Sequence, residues 1–206
     1  MKRAIPIFLV FLACTPCIQC RASRTPNLSN PLRRVLRSAA KRVGVKPVAI
    51  MEVLATVESR MNPYAIHLSA RYPLGAALRA AKIPFTAYTS GDRYHYVVTP
   101  KNYTQAAGIL EWAQTTTVWY DVGLLQIFRG NVERYKLNPV ALLNPRNNAI
   151  VGSYIFKQCS DRYPGNFWAA IECYHRGAYH GYLTPYASRV RGQIVRLLKA
   201  WVKENG

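Results

Sequence analysis

The stretch that decides the fold is PVAIMEVLATVESRMNPYA, residues 47–65. Its apolar side chains recur at the three- and four-residue spacing of one helix face: Ile50, Met51, Leu54 and Val57. The pair Asn62-Pro63 ends the pattern, because a proline disfavours helical backbone at the residue before it. The stretch therefore predicts a helix that opens at Pro47 and packs one face into a core.

Glu58 interrupts this apolar face, four residues after Leu54 and seven after Met51. A carboxyl there is partly removed from water, and desolvation raises its pKa. A carboxyl that stays neutral near pH 7 can donate a proton to a leaving oxygen. The residues alone leave a second interpretation open, in which Glu58 is neutralised by a cation such as Arg60.

Capping signals and apolar spacing predict a mainly α domain over residues 31–206. The predicted helices span residues 31–43, 47–62, 100–114, 125–137, 145–159 and 166–175, and a last one begins at Thr184-Pro185. Alternating tyrosines on both sides of Ser90-Gly91-Asp92 predict a β-hairpin. The expected fold is therefore a single helical domain with a small β-hairpin excursion.

The first 22 residues predict a signal peptide, with Lys2 and Arg3 ahead of a short apolar run, and residues 23–30 a flexible basic lead-in. A lipoprotein attached at Cys14 is the alternative. We expect a periplasmic or secreted protein. No apolar run reaches the roughly 18–20 residues needed to span a bilayer, so no integral span is expected after the signal is removed.

Removal of the signal changes both the cysteines and the charge. Two cysteines remain, Cys159 and Cys173, and an oxidising compartment favours a disulfide between them; two buried free thiols are the alternative. The net charge falls from +19 to +16, which implies a polyanionic neighbour such as cell wall or membrane headgroups. Nucleic acid is the least accessible polyanion for an exported protein.

Four blocks of sequence, in order, resemble the lytic transglycosylases with the goose-lysozyme-like fold. Glu58–Ala65 resembles the family's E-S-x-x-N-P-x-A signature, and Asp121–Ile127 is similar to its G-L-M-Q-I block. Ala170–Gly177 resembles A-x-x-Y-N-x-G, and Tyr186–Val190 resembles Y-x-x-R-V. Together they cover most of residues 31–200, so the resemblance implies an α+β lysozyme-like fold.

The resemblance is greatest to the specialised members that serve type IV secretion, conjugation and pilus systems. Those members carry D-[IV]-G-L-x-Q-I and an insertion between the first two blocks, here residues 66–118. Two positions depart from the pattern. Phe128 stands where the specialised branch often has Asn, and His175 stands where the family usually has Asn, so the resemblance does not extend to an amide contact at His175.

The resemblance implies that Glu58 protonates the β-1,4 bond between N-acetylmuramic acid and N-acetylglucosamine and then activates the muramic 6-hydroxyl. The product is a 1,6-anhydro sugar, and the enzyme would open the wall locally for an envelope-spanning assembly. Ser59 and Gln126 are implied to bind substrate. Tyr174 is implied to place its hydroxyl near Glu58 and to help set its protonation.

Three alternatives remain. Asp121 would permit a hydrolytic muramidase if it faced Glu58 at about 5–9 Å, although a cap or turn role before Gly123 is favoured. A non-catalytic basic protein that binds cell wall or membrane, and a nucleic-acid binder, rest on charge alone. The four histidines show no metal-ligand spacing, so no metal and no cofactor are expected: His67, His95, His175 and His180.

Overall fold

The computed structural model describes residues 30–205. Its α-helices are α1 (Pro31–Val43), α2 (Ile50–Ser59), α3 (Gly75–Ala80), α4 (Tyr103–Gln114), α5 (Arg129–Arg134), α6 (Pro145–Arg162), α7 (Phe167–Arg176) and α8 (Pro185–Asn205). Its strands are β1 (Ile66–Ala70), β2 (Phe85–Ser90), β3 (Arg93–Val98), β4 (Trp119–Val122) and β5 (Ile127–Phe128). A 3-10 helix spans Val140–Leu143. The result is a mainly helical α+β domain with one small sheet.

α2 packs against α1 and α8, and its buried face carries the fully buried Met51 and Leu54. α1 packs against α6, α6 against α7, and α2 against α8. α2 ends at Ser59, and the next residue, Arg60, adopts left-handed backbone (φ 54°) and donates its N–H to the Thr56 carbonyl oxygen. This turn reverses the chain after Glu58 and leads it into β1.

One antiparallel sheet has the strand order β2-β3-β1-β4-β5. β1 lies in the middle and pairs His67 with Asp121 of β4 and with Val97 of β3. The predicted hairpin is present as β2 and β3, with Gly91 at its turn. The sheet is larger than the predicted excursion, because β1, β4 and β5 extend it to five strands.

Several predicted helix bounds differ from the structure: α4 begins at Tyr103 rather than at Pro100, and α6 ends at Arg162 rather than at Cys159. α2 begins at Ile50 rather than at Pro47. The helix predicted from Leu125 to Leu137 is wrong, because that segment contains a turn, β5 and the six-residue α5. Left-handed backbone at Gly123 (φ 81°) and Gln126 (φ 44°) is incompatible with a helix.

The buried side chain of Asn148 holds this turn in place. Its Oδ1 accepts from the Leu125 N–H at 2.9 Å, and its Nδ2 donates to the Val122 and Leu142 carbonyl oxygens at 2.9 and 3.1 Å. Gly123 packs so closely against Asn148 that a Cβ would collide with the amide. The turn thus depends on a residue of α6, twenty-odd positions away in the sequence.

The predicted insertion, residues 66–118, contributes β1, α3, β2, β3 and α4. It therefore supplies three strands of the sheet. The predicted signal peptide lies outside the described residues, as does the lead-in apart from Asn30, whose side chain caps α1. Within residues 30–205, no helix is both long and apolar enough to cross a membrane.

Candidate active site

Glu58 lies on the last turn of α2 and faces a groove of about 690 Å³. The groove runs between the sheet and helices α5, α6 and α7, and Asp121 and Gln126 line it with Glu58. Glu58 is half-buried, so its carboxyl is held largely in protein while remaining within reach of a ligand. The apolar spacing of α2 therefore delivers a carboxyl to the edge of a cavity.

The two carboxylates of α2 have opposite surroundings. Glu52 is buried (3% exposed) and forms an ion pair with the Arg37 guanidinium. Glu58 makes no ion pair with any cation in residues 30–205, and Arg60 is exposed to solvent. The interpretation in which an arginine neutralises α2's carboxylate thus applies to Glu52 and not to Glu58.

Burial raises the pKa of Glu58 from 4.5 to about 7. The nearby Asp121 carboxylate also raises this pKa. The hydrogen bond from Tyr186 lowers it, as do the charges of Arg189 and His67. A carboxyl poised near neutrality can give a proton to a leaving group and later take one back.

Tyr186 supplies the one hydrogen bond that the described residues make to the Glu58 side chain. Its hydroxyl donates to Glu58 Oε1 at 2.5 Å, and the ring is almost fully buried. The ring stacks on His175 at 4.0 Å between centroids, with the Arg189 guanidinium 5.5 Å from its centre. Burial raises the pKa of Tyr186, so the phenol stays a donor throughout the neutral range.

A buried carboxylate fixes the start of α8 and with it Tyr186. Glu172 is fully buried, and its Oε1 accepts from the Thr184 backbone N–H at 2.6 Å and from its hydroxyl at 2.9 Å. Glu172 Oε2 lies 3.1 Å from Arg176 Nε. These contacts connect α7 to the start of α8. Tyr186 lies in the first turn of α8 and contacts Glu58 from there.

Tyr174 and Ser59 both donate hydrogen bonds to backbone carbonyl oxygens, and the role expected of Tyr174 stays a prediction. The hydroxyl that donates to Glu58 belongs to Tyr186, whereas Tyr174 lines the groove and donates to the Leu125 carbonyl oxygen at 2.7 Å. Ser59 is buried, and its hydroxyl donates to the Ala55 carbonyl oxygen at 3.0 Å. It is absent from the groove lining, so its role in binding stays a prediction.

Gln126 lines the groove as expected, with its amide nitrogen already engaged. Nε2 donates to the carbonyl oxygens of Ala65 at 3.0 Å and Gly123 at 2.9 Å. Its Oε1 has no hydrogen-bond partner within residues 30–205, which leaves an acceptor for a sugar hydroxyl or acetamido N–H. Its role as a substrate ligand remains a prediction.

Asp121 lies within β4, so the expectation that it caps the turn at Gly123 is corrected. Its Oδ2 is 2.7 Å from His67 Nδ1. His67 Nε2 is 3.1 Å from His95 Nδ1, and the His95 ring stacks on Tyr88 at 4.9 Å. Asp121, His67, His95 and Tyr88 form a row across the sheet, because four adjacent strands each present one of these side chains on the same sheet face.

His175 and Phe128, the two residues that depart from the family pattern, both stack on an aromatic ring. His175 covers one face of Tyr186. Phe128 lines the groove, is 43% exposed and stacks on Trp119 at 5.2 Å. Exposed aromatic faces suit sugar rings, although the sequence alone gave no reason to select Phe128 among the aromatics.

The predicted disulfide joins Cys159 of α6 to Cys173 of α7. Both cysteines line the groove, so the bond connects two helices of its wall. No three metal-ligating side chains gather at one point in the part of the chain that the structure describes, and the absence of a cofactor stays an expectation.

The family model of the transglycosylase SLT domain matches residues 34–181, well over half of the chain. The match contains Glu58, Asp121, Gln126 and Tyr174 and ends before Tyr186. No curated protein and no solved structure matches the chain. Tyr186 is the first residue of the Y-x-x-R-V block, which was the one indication of its importance in the sequence. That block did not predict the hydrogen bond between Tyr186 and Glu58.

Proposed function

The chain belongs to the transglycosylase SLT domain family, which consists of lytic transglycosylases acting on peptidoglycan, and we propose that Glu58 is its catalytic acid. The enzyme would cleave the β-1,4 bond between N-acetylmuramic acid and N-acetylglucosamine to a 1,6-anhydro product. The observation that carries this proposal is the half-buried Glu58, which faces the groove with its pKa raised to about 7.

In the proposed reaction, protonated Glu58 donates to the glycosidic oxygen as the C1–O bond breaks. The muramic acetamido group stabilises the electron-poor C1. The Glu58 carboxylate then accepts the proton of the 6-hydroxyl, whose oxygen forms the new bond to C1. The proton thus returns to Glu58. No water is consumed, because the 6-hydroxyl of the same sugar is the nucleophile, and its attack is favoured by proximity.

Tyr186 supports the charged half of this cycle. Its hydroxyl donates to Glu58 Oε1, and a hydrogen bond to the carboxylate stabilises the ionised form that follows proton transfer. The positive Arg189 also favours that form. The two states of Glu58 are thereby brought close in free energy, which is what a group that first donates and then accepts requires.

A hydrolytic muramidase is the second candidate, and the placement of Asp121 favours it. Asp121 lines the same groove as Glu58 and is held by His67. A carboxylate in that position could direct a water to C1 in place of the 6-hydroxyl. The two reactions give different products: 1,6-anhydro ends from transglycosylation, and reducing ends with one added water from hydrolysis.

We further propose that the enzyme is exported through its N-terminal signal, to the periplasm or outside the cell, and opens the wall locally for a secretion, conjugation or pilus machine. The basic apolar N-terminus and the disulfide support export. The D-V-G-L-L-Q-I block supports the specialised branch. Fractionation of cells expressing the full chain and a form lacking residues 2–22 tests export, and lipid labelling separates the lipoprotein alternative.

The activity is tested on purified sacculi, with parent and Glu58→Gln proteins in parallel and mass spectrometry of the released muropeptides. Glu111→Gln is the matched control, because Glu111 is exposed on α4 and does not line the groove. We expect anhydromuropeptides from the parent and the control and none from Glu58→Gln. Equal release by Glu58→Gln would remove the catalytic assignment of Glu58, whereas no release by the parent would favour a scaffold.

A further inference from the structure

The groove is lined by basic as well as acidic side chains. Glu58 and Asp121 line it. Three arginines from three different helices also line it, and we call them the arginine wall: Arg134 of α5, Arg162 of α6 and Arg176 of α7. A groove that carries both signs can orient a substrate that is neutral at one place and anionic at another.

Two guanidinium groups of the arginine wall lack a carboxylate partner among the described residues. Arg134 and Arg162 are exposed and form no ion pair there, although one Arg162 nitrogen donates to the Gly177 carbonyl oxygen at 3.1 Å. Arg176 differs, since it pairs with the buried Glu172 and donates to the Tyr182 hydroxyl.

The carboxylates that flank the arginine wall in the sequence are engaged elsewhere. Glu133 pairs with Arg129 at 2.6 Å, and Asp161 pairs with Lys157 at 2.6 Å. The positive charge of Arg134 and Arg162 is therefore left for a ligand in the groove.

Cross-links hold the three helices of the arginine wall together. The disulfide between Cys159 and Cys173 joins α6 to α7. The Tyr135 hydroxyl donates to Gln158 Oε1 at 2.7 Å and so connects the end of α5 to α6. The helix backbones that carry the arginines are thus fixed before a ligand arrives, which reduces the ordering cost of binding.

The chemistry of the ligand follows from what the groove is proposed to cleave. In a stem-bearing strand the lactyl carboxyl of muramic acid is amide-bonded to the stem, so the sugar chain itself is uncharged and the carboxylates lie on the peptide stems. Guanidinium groups bind carboxylates through paired N–H donors. We propose that Arg134 and Arg162 bind the carboxylates of a peptide stem, so that the enzyme selects glycan strands that carry stems. This rests on the proposed function.

Binding is measured first, because it does not depend on turnover. Glu58→Gln protein is titrated by calorimetry with a muramic-acid-containing disaccharide that carries a peptide stem, and with the same disaccharide whose lactyl carboxyl is capped as a methylamide, so that it has neither a stem nor a free carboxylate. We expect tighter binding of the stem-bearing form. Adding Arg134→Gln and Arg162→Gln together should weaken that form about tenfold, from two partly exposed ion pairs, and leave the stem-free form unchanged.

Activity gives the second readout. The parent and the double arginine variant are compared on intact sacculi and on glycan strands treated with an amidase, which removes the stems and leaves only the lactyl carboxylate beside each muramic ring. The matched control is Arg191→Gln, which makes the same chemical change on the exposed face of α8 outside the groove. We expect a loss of kcat/KM of about tenfold in the double variant on stem-bearing strands alone.

Each contrary result has its own meaning. Equal binding of both disaccharides, equal losses on both substrates, or a loss matched by Arg191→Gln would overturn the proposal. If the parent releases no anhydromuropeptide from either substrate, the proposed function fails, and the calorimetry still decides whether the arginine wall binds stems. If the parent is active and the double variant is unaffected on every readout, the stem proposal alone fails.

Discussion

Replacing Glu58 by glutamine should stabilise the protein at pH 8 and have little effect at pH 4. The pKa of Glu58 is raised from 4.5 to about 7 in the folded protein. Between these values the folded state holds a proton that the unfolded chain has released. The free energy of unfolding of the parent therefore falls as pH rises through this window and is level above it.

The size of the effect follows from the two pKa values. A change from 4.5 to about 7 corresponds to about 3 kcal/mol, at about 1.4 kcal/mol per pKa unit. Glutamine cannot ionise, so the free energy of unfolding of the variant does not fall in this way as pH rises. Its side-chain oxygen can still accept the hydrogen bond from Tyr186, which keeps the two proteins comparable. We expect the variant to be more stable by up to about 3 kcal/mol at pH 8.

Urea denaturation at pH 4, 6 and 8, followed by tryptophan fluorescence, measures this difference. Glu111→Gln is again the control, because an exposed carboxylate should show no comparable pH-dependent change. The reasoning is refuted if Glu58→Gln is no more stable than the parent at pH 8, or if the difference between the two proteins is the same at all three values.

Three further predictions concern the residues around the groove. Tyr186→Phe removes a hydrogen bond to ionised Glu58, so the basic limb of the kcat/KM profile should move up by about one pH unit; an unmoved limb contradicts the contact. Replacing Cys159 and Cys173 by serine should cost about 3 kcal/mol in urea denaturation, and an unchanged midpoint would argue against the disulfide. Asn148→Leu leaves buried backbone groups unpaired and should lower stability by at least about 2 kcal/mol in the same assay.

Local patterns in the sequence were enough to place Glu58. The spacing of Met51 and Leu54 predicts that Glu58 shares their helix face. That face is buried, and burial raises the pKa of Glu58. The cap at Asn30 and the proline that starts α6 gave correct helix starts. These features depend on residues within a few positions of one another, which is why a single sequence reveals them.

The parts that sequence did not predict depend on distant partners. β1 is buried at four of its five positions, so it lacks the alternation that marks a half-exposed strand. The turn before β5 is set by Asn148, and the Glu58 hydrogen bond comes from Tyr186, 128 positions away. The row from Asp121 to Tyr88 is visible only once the strand order is known.

The central claim is that Glu58 holds a proton near neutral pH, and carbon-detected NMR of the protein labelled at glutamate carboxyl carbons tests it most directly. The Glu58 resonance is assigned as the one missing from Glu58→Gln. The account predicts a titration midpoint near 7. A midpoint near the ordinary value of 4.5 would contradict it, because a carboxyl already ionised at neutral pH has no proton to donate.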